Sequence, residues 1–391
     1  MADEQRQPSA EPATEPVPQT AAQTALETAA EPVAQSTAPI AQTATPAAQS
    51  ITPVAQAEAP IEAIEPEQQE REDDSDRSSL GGFSSEDSQA SMRSSILDYR
   101  RENGRTYHRL SDGKYIMPND ELEQERLDIV NHMWMLIWDG KFCLCPKNEG
   151  AKRVLDIGTG TGIWSMDYAD EHPEAEVIGV DLSPIQPDYV PVNCIFEVDD
   201  LEKEWTWTEP FDFIFARNMI GCFSNWEGVM EQAYDNLEPG GYFEIHDSVY
   251  PILCDDGTVK EDSPIAKWSR LILEACDKIG RSVTVTHQFP RLMWEAGFED
   301  VTVTKCKFPL SGWPKDRKLR DVGTWVQASL LPGLEGMSLA LFTRVLDWSP
   351  EETIVFCAQV RADVKNTRLH GYWDGMSVYG RKPFPKEETS H

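Results

Sequence analysis

From residue 152 onward the chain alternates short apolar runs with stretches of helical period. RVLDIG (153–158), EVIGVDL (176–182), CIFEVDD (194–200), FDFIFARN (211–218) and PGGYFEIHDSV (239–249) read as five strands in succession. Between them IWSMDYADEH (163–172) is helical, and a further helix runs to Leu237 with Ser224 and Glu227 as its capping pair. Near-continuous apolar strands separated by helices predict a parallel sheet buried on both faces, with right-handed crossovers. Beyond residue 250 the pattern turns helical. SPIAKWSRLILEACDKIG starts with Ser263 before Pro264, and HQFPRLMWEAGF (287–298) leads into the alternating strand DVTVTKCKF. Residues 315–366 read as mostly helical, with a capping box at Ser349 and Glu352, and YWDGMSVYGRK (372–382) alternates like an edge strand.

Ahead of the sheet, TYHRLSDGKYIM (106–117) suggests a small hairpin turning at Asp112-Gly113. PNDELEQERLDIVNHMWMLIWDGK follows as a helix, with Asp120 and Glu123 fitting a capping box and Gly140 closing it. Its Ile129, Met133, Trp134 and Ile137 are read as packing positions.

Composition adds a fourth region. Residues 1–90 repeat Ala, Pro, Thr, Gln and Glu, hold Phe83 as their one aromatic, and carry seventeen acids against three bases. Such a segment buries too little apolar surface to offset its chain entropy and is expected to be disordered. The expected organisation is a disordered acidic tail over 1–90, a hairpin and helix packing on the core over 91–150, a Rossmann-like α/β core over 151–250, and a helical cap with the last two strands over 251–391. The formal net charge of −32 speaks against direct nucleic-acid binding. With no N-terminal apolar segment and no long apolar run, neither secretion nor a membrane span is expected, and eight scattered cysteines suit free thiols in the cytoplasm or nucleus. Cys143 and Cys145, without a matching second pair, are read as packing thiols rather than metal ligands.

The glycine-rich stretch VLDIGTGTGIW (154–164) carries the chemistry. Read against the dinucleotide pattern G-x-G-x-x-G/A, it fails at Ile163 from Gly158 and at Ser165 from Gly160. Asp156, two residues before Gly158, gives D-x-G-x-G-x-G with Gly160 and Gly162. An acid there repels a pyrophosphate but suits the ammonium and sulfonium of S-adenosylmethionine (SAM), whose carboxylate is expected by the loop amides and the following helix N-terminus. Asp181 stands where a carboxylate accepts both ribose hydroxyls, and Asp199 or Asp200 suits the adenine amino group. The acceptor is expected near Arg217 and Asn218, at the end of the fourth strand; both are also candidate cofactor contacts, and Asn218 is a candidate catalytic residue. Asn218 lacks the N-P-P-Y continuation of amino-methylating enzymes, so methylation of nucleic-acid amino groups or of glutamine is not expected. His246 leads His132 and His287 as candidate base, and Trp268, Trp294, Trp313 and Trp325 are candidate linings of an aromatic pocket.

With these motifs in hand, the core resembles class I SAM-dependent methyltransferases, which implies a seven-stranded sheet whose last strand is antiparallel, with helices on both faces. GRTYHRLSDGKYIMPNDELEQERLD, FDFIFARNM, LEPGGYFEIHD, GLEGMSLALFTRVLDWSPEE and YWDGMSVYGRKP further resemble the LaeA-like velvet-complex methyltransferases of filamentous fungi, from about residue 91 onward. The resemblance implies a regulator of secondary metabolism and development working with velvet-domain proteins. Two other readings stand beside it: a pathway enzyme methylating oxygen or nitrogen of a small secondary metabolite, and a non-catalytic module that keeps SAM as a ligand.

Overall fold

A computed structural model describes residues 99–110 and 115–386. Strand β1 (Arg100–Glu102) pairs antiparallel with β2 (Arg105–Tyr107). Asn103 and Gly104 turn the corner with φ of 50° and 76°, the paired positive values that a two-residue hairpin requires. The hairpin thus lies one strand earlier than the spacing suggested. Residues 115–117 form no strand, and Asp112-Gly113 falls outside the described residues. Helix α1 (Glu121–Ile137) follows. Asp120 caps it by accepting from Glu123 N, but the Glu123 carboxylate turns to Arg126 rather than back to the cap, so half of the expected capping box forms.

The main sheet contains β3 (Arg153–Ile157), β4 (Glu176–Asp181), β5 (Cys194–Val198), β6 (Phe211–Arg217), β7 (Leu237–Leu253), β8 (Glu299–Pro309) and β9 (Tyr372–Arg381). Their spatial order is β5-β4-β3-β6-β7-β9-β8, with β9 antiparallel to both neighbours and β3 to β7 mutually parallel. The order reverses direction between β3 and β6, the switch point at which α/β sheets open a crevice. YWDGMSVYGRK is not the edge strand its alternation suggested. It is inserted between β7 and β8, buried along nearly its whole length, while β8 takes the edge and shows the alternation of one solvated face.

Helices α2 (Ile163–Glu171), α3 (Trp226–Asp235), α4 (Pro264–Lys278), α5 (Phe289–Glu295), α6 (Arg317–Val345) and α7 (Pro350–Lys365) complete the fold. Asn225, not Ser224, caps α3, its side chain accepting from Gly228 N, while Ser224 bonds Glu202. Trp164 and Tyr168 of α2 pack on Phe215 and Phe213, whereas Ile214 and Ala216 of the same strand belong to the cluster formed with α3 and α5. A third cluster joins α1, α4, α6 and α7 around Trp134, Trp268, Phe342 and Phe356, all under a tenth exposed. The expected box at Ser349 and Glu352 is complete in both directions. Among the described residues, no helix is long and apolar enough to cross a membrane.

Candidate functional site

The first cleft opens at the carboxyl ends of the parallel strands. After β3 the chain turns through Gly158, Gly160 and Gly162, with φ of 69°, 59° and 79°, a region that only glycine enters routinely. A Cβ on Gly160 meets nothing nearer than Leu127 Cδ1 at 3.4 Å, so any side chain there grows into the open cleft. A Cβ on Gly162 runs into the Phe196 ring at 2.3 Å. Thr161 Oγ1 donates to Asp128 of α1 at 2.7 Å, clasping that helix to the loop.

The loop amides are largely consumed within the fold. Gly158 N and Thr159 N donate to Val180 O, Gly160 N to Asp181, and Gly162 N to Thr159 O. The expected cradle of loop amides for an anion is therefore mostly spent. Arg217 supplies the missing donors: its Nη1 bonds Asn131 Oδ1 at 2.7 Å, while its buried Nε and Nη2 have no partner. Buried N–H groups without partners are costly, so this wall of the cleft is built to receive an acceptor. Burial lowers the guanidinium pKa to about 10, against the pull of Asp156 and Glu244, and it remains charged.

Five acids line the same cleft, Glu202 among them, paired with Arg281 at 2.8 Å. Asp156 lies 3% exposed in β3 and accepts from Ser165 Oγ at 2.7 Å, and burial raises its pKa to about 6. Asp181, at the end of β4, accepts from Gly160 N and Ser183 N, both at 2.9 Å. Burial lifts it to about 6 as well, against those donors. Asp199 is exposed and takes the amide of Asp200, whose own side chain is buried. Asp156, Asp181 and Asp199 each keep lone pairs beyond the bonds they make.

A second cleft adjoins the first, and Tyr115, Leu127, Asn218 and Cys222 line both. Asn218 has φ of 56°, which asparagine tolerates, and its Oδ1 accepts from the Trp134 indole at 3.0 Å. That bond leaves Nδ2 at the junction without a partner among the described residues. Leu127 and Asn131 of α1 face the first cleft, while Val130 and Met133 face the second, so one helix forms a wall of each. Ile272 and Cys276 of α4, Val326, Leu330 and Leu341 of α6, Phe308 and Trp373 close the second cleft. All seven are under a tenth exposed, so its walls are mainly apolar and drawn from the core.

The histidines expected as bases are elsewhere. His246 is fully buried, stacked on Trp134 with 5.4 Å between ring centroids, and 2.6 Å from Glu244 Oε1. It lines neither cleft, and burial holds its pKa below the ordinary value despite Glu244. Sequence placed it at the carboxyl edge of the sheet, which is right, but its side chain turns beneath α1. His132 and His287 are exposed and away from both clefts. Trp268 is buried against Ser338, Trp294 is 72% exposed, and Trp313 and Trp325 lie outside both linings; Trp164 and Trp373 are the tryptophans that line them. Sequence reasoning missed Asn131, Tyr115 and Asp247. Asn131 carried a signal, as an amide on the apolar side of an amphipathic helix. Cys143 and Cys145 are buried beside Glu244, which accepts from the amides of Leu144 and Cys145 and from Ser377.

Residues 139–303 match the family model described as a methyltransferase domain. The chain is 39% identical over 295 residues to "Methyltransferase pytC" of Aspergillus terreus, covering 75% of this chain and 91% of that protein. It is 36% identical over 289 residues to "Secondary metabolism regulator laeA" of Aspergillus fumigatus, covering 72% and 76%. "Secondary metabolism regulator LAE1" of Cochliobolus heterostrophus is 34% identical over 278 residues, covering 69% and 91%.

Proposed function

The chain belongs to the LaeA-like family of SAM-dependent methyltransferases, and from that premise we propose that the first cleft holds the cofactor and the second the methyl acceptor. The observation that carries this reading is the charge arrangement of the first cleft: one guanidinium whose Nε and Nη2 have no partner, in a lining that holds five carboxylates. Bound SAM supplies a methyl group already activated on a sulfonium. Asp181 would accept from the ribose hydroxyls, Asp199 or Asp200 from the adenine amino group, and Arg217 would take the methionyl carboxylate. Asp156 would balance the ammonium from beneath the loop and fix the start of α2 through Ser165. Asn218, shared by both clefts, would orient the acceptor through its free amide N–H, and the apolar walls of the second cleft would exclude water from the transfer.

Calorimetry with S-adenosylhomocysteine (SAH), the demethylated product, tests the cofactor site. Micromolar binding is expected, and its loss in Arg217→Met. No binding at tens of micromolar overturns the assignment.

The apolar lining of the second cleft supports a small, largely apolar acceptor over a charged protein side chain, and with it a pathway step within secondary metabolism. The relatives named as regulators support a second reading, in which velvet-domain proteins are the partners. Deleting the gene and profiling metabolites separates the two: loss of one methylation step indicates the pathway enzyme, and broad change across many metabolites indicates the regulator.

A further inference from the structure

We propose that Asp247 is the base of the second cleft, and that the acceptor it serves is a small, flat, largely apolar molecule presenting a phenolic hydroxyl. The proposal rests on the reading of that cleft as the acceptor site.

Asp247 follows His246 in β7 at the point where β6 runs out into Asn218. It is the only carboxylate lining the second cleft among the described residues, and no histidine lines it. Its Oδ2 accepts from Met219 N at 2.8 Å and Ile220 N at 2.9 Å, and its Oδ1 from Ser248 N at 2.9 Å. All three donors are backbone amides, so no cation neutralises it, and Oδ1 retains a lone pair. The carboxylate is thus oriented by main chain and 1% exposed at the boundary of an apolar chamber, next to the residue that joins the two clefts.

The surroundings restrict the acceptor. Met133, Phe308, Met337 and Trp373 offer soft and aromatic surfaces suited to a flat ring system. Arg126, the one cation in the lining, is engaged by Glu123 through Nε and Nη2. An acceptor carrying an ammonium would pair with Asp247 and have no lone pair to attack with. An aliphatic alcohol is too weak an acid to surrender its proton to a carboxylate, whereas a phenol, with a pKa of about 10, lies within reach of a carboxylate whose own pKa is raised. Burial raises that of Asp247 to about 7, against the three amides. In the transfer, a lone pair of the phenolic oxygen forms the new O–CH3 bond and the S–CH3 pair returns to sulfur. The hydroxyl proton passes to Asp247, which releases it to water once the product leaves.

The other titratable groups facing this cleft keep their protonation state near neutrality. Burial raises Tyr115, Cys222, Tyr250 and Cys276, each a group that is already neutral at that pH, and Arg126 stays charged beside Glu123. A transition near pH 7 in this cleft therefore belongs to Asp247.

The test uses the full chain and two probes of one shape, 2-naphthol and 2-methoxynaphthalene, titrated calorimetrically from pH 5.5 to 8 with the first cleft saturated by SAH. Naphthol, which donates a hydrogen bond to the ionised carboxylate, is expected to bind roughly tenfold more tightly at the upper end than at the lower. The methyl ether should show no such change. Asp247→Asn should abolish the naphthol dependence while SAH binding, measured at one pH, shows that the variant is folded. The contrast between the probes in the unaltered protein needs no variant. Equal pH dependence of both probes, persistence of the dependence in Asp247→Asn, or failure of both probes to bind overturns the proposal. If SAH itself fails to bind, the cofactor reading fails, and the naphthol titrations without SAH still report on Asp247.

Discussion

The two clefts share four lining residues and are built in opposite ways. The first draws its chemistry from the ends of consecutive strands: the turn from Gly158 to Gly162, Asp181, Asp199 and Asp200, then Arg217, all within one stretch of chain. Its lining carries five carboxylates and one guanidinium, and its function is written in those charges. The second draws its walls from α1, α4, α6 and the strands β7, β8 and β9, from Tyr115 to Trp373, and its lining is mostly aliphatic and aromatic. Its one carboxylate is held by main chain alone. The difference separates the tasks: the first recognises one fixed molecule by its charges, and the second receives its guest by shape and dryness, with a single proton-accepting group.

Perturbing one cleft and measuring the other tests that division. The largest effect is expected from Gly160→Glu, whose side chain projects into the first cleft. SAH binding should vanish in calorimetry, while naphthol binding in the second persists. If both are lost, the clefts are not separable. Asp181→Ala should weaken SAH by about 1–3 kcal/mol through lost charged hydrogen bonds, and unchanged affinity would refute the ribose assignment. The pH response of SAH binding should be set near 6, because the ionised forms of Asp181 and Asp156 are the ones that meet the ribose and the ammonium, and burial raises both to about 6. Affinity should be full above pH 7 and fall at least about tenfold by pH 5, with Asp181→Ala removing the part that belongs to Asp181. A midpoint near 4 would show that Asp181 is better solvated than its surroundings suggest.

Stability without ligand should run the other way. Asp156, Asp181 and Asp247 all have folded-state values raised by burial, so the folded chain holds their protons more tightly than the unfolded chain does. Their contribution is present below pH about 4 and lost as pH rises through 6 to 7. The unfolding temperature of the ligand-free protein is therefore expected to drop between pH 5 and 8, and SAH to reduce that drop. The smallest effect on binding is expected from Trp134→Phe, which removes the donor to Asn218 Oδ1. It should cost about 2–3 kcal/mol of stability, from the lost bond and the gap left in the core, with SAH affinity nearly unchanged.

The contrast also explains what could be read in advance. Sequence periodicity found each main-sheet strand, and the first cleft was legible because strand ends place neighbours in sequence at one edge of a sheet. The second cleft was not, because Val130, Ile272, Leu330 and Trp373 are ordinary core residues until three helices and three strands stand around a space. The same limit produced the errors. His246 had the position of a base, yet only the packing of Trp134 over it shows that it is sealed. Ser224 and Asn225 are both good caps, and the choice went to the one not needed by Glu202. YWDGMSVYGRK alternates, but being flanked on both sides is a property of strand order, which periodicity does not contain.

That strand order has a consequence for how the molecule is made. β9 comes after every other strand in the chain, yet it sits inside the sheet, hydrogen-bonded to β7 on one side and β8 on the other. During synthesis both partners must therefore wait, each with an unpaired edge, until residues 372–381 leave the ribosome. The nascent chain is in that interval a sheet with a slot in it, and the slot is the place where a chaperone would be of most use. A C-terminal truncation that removes β9 would leave the slot permanently open, whatever it spared of both clefts.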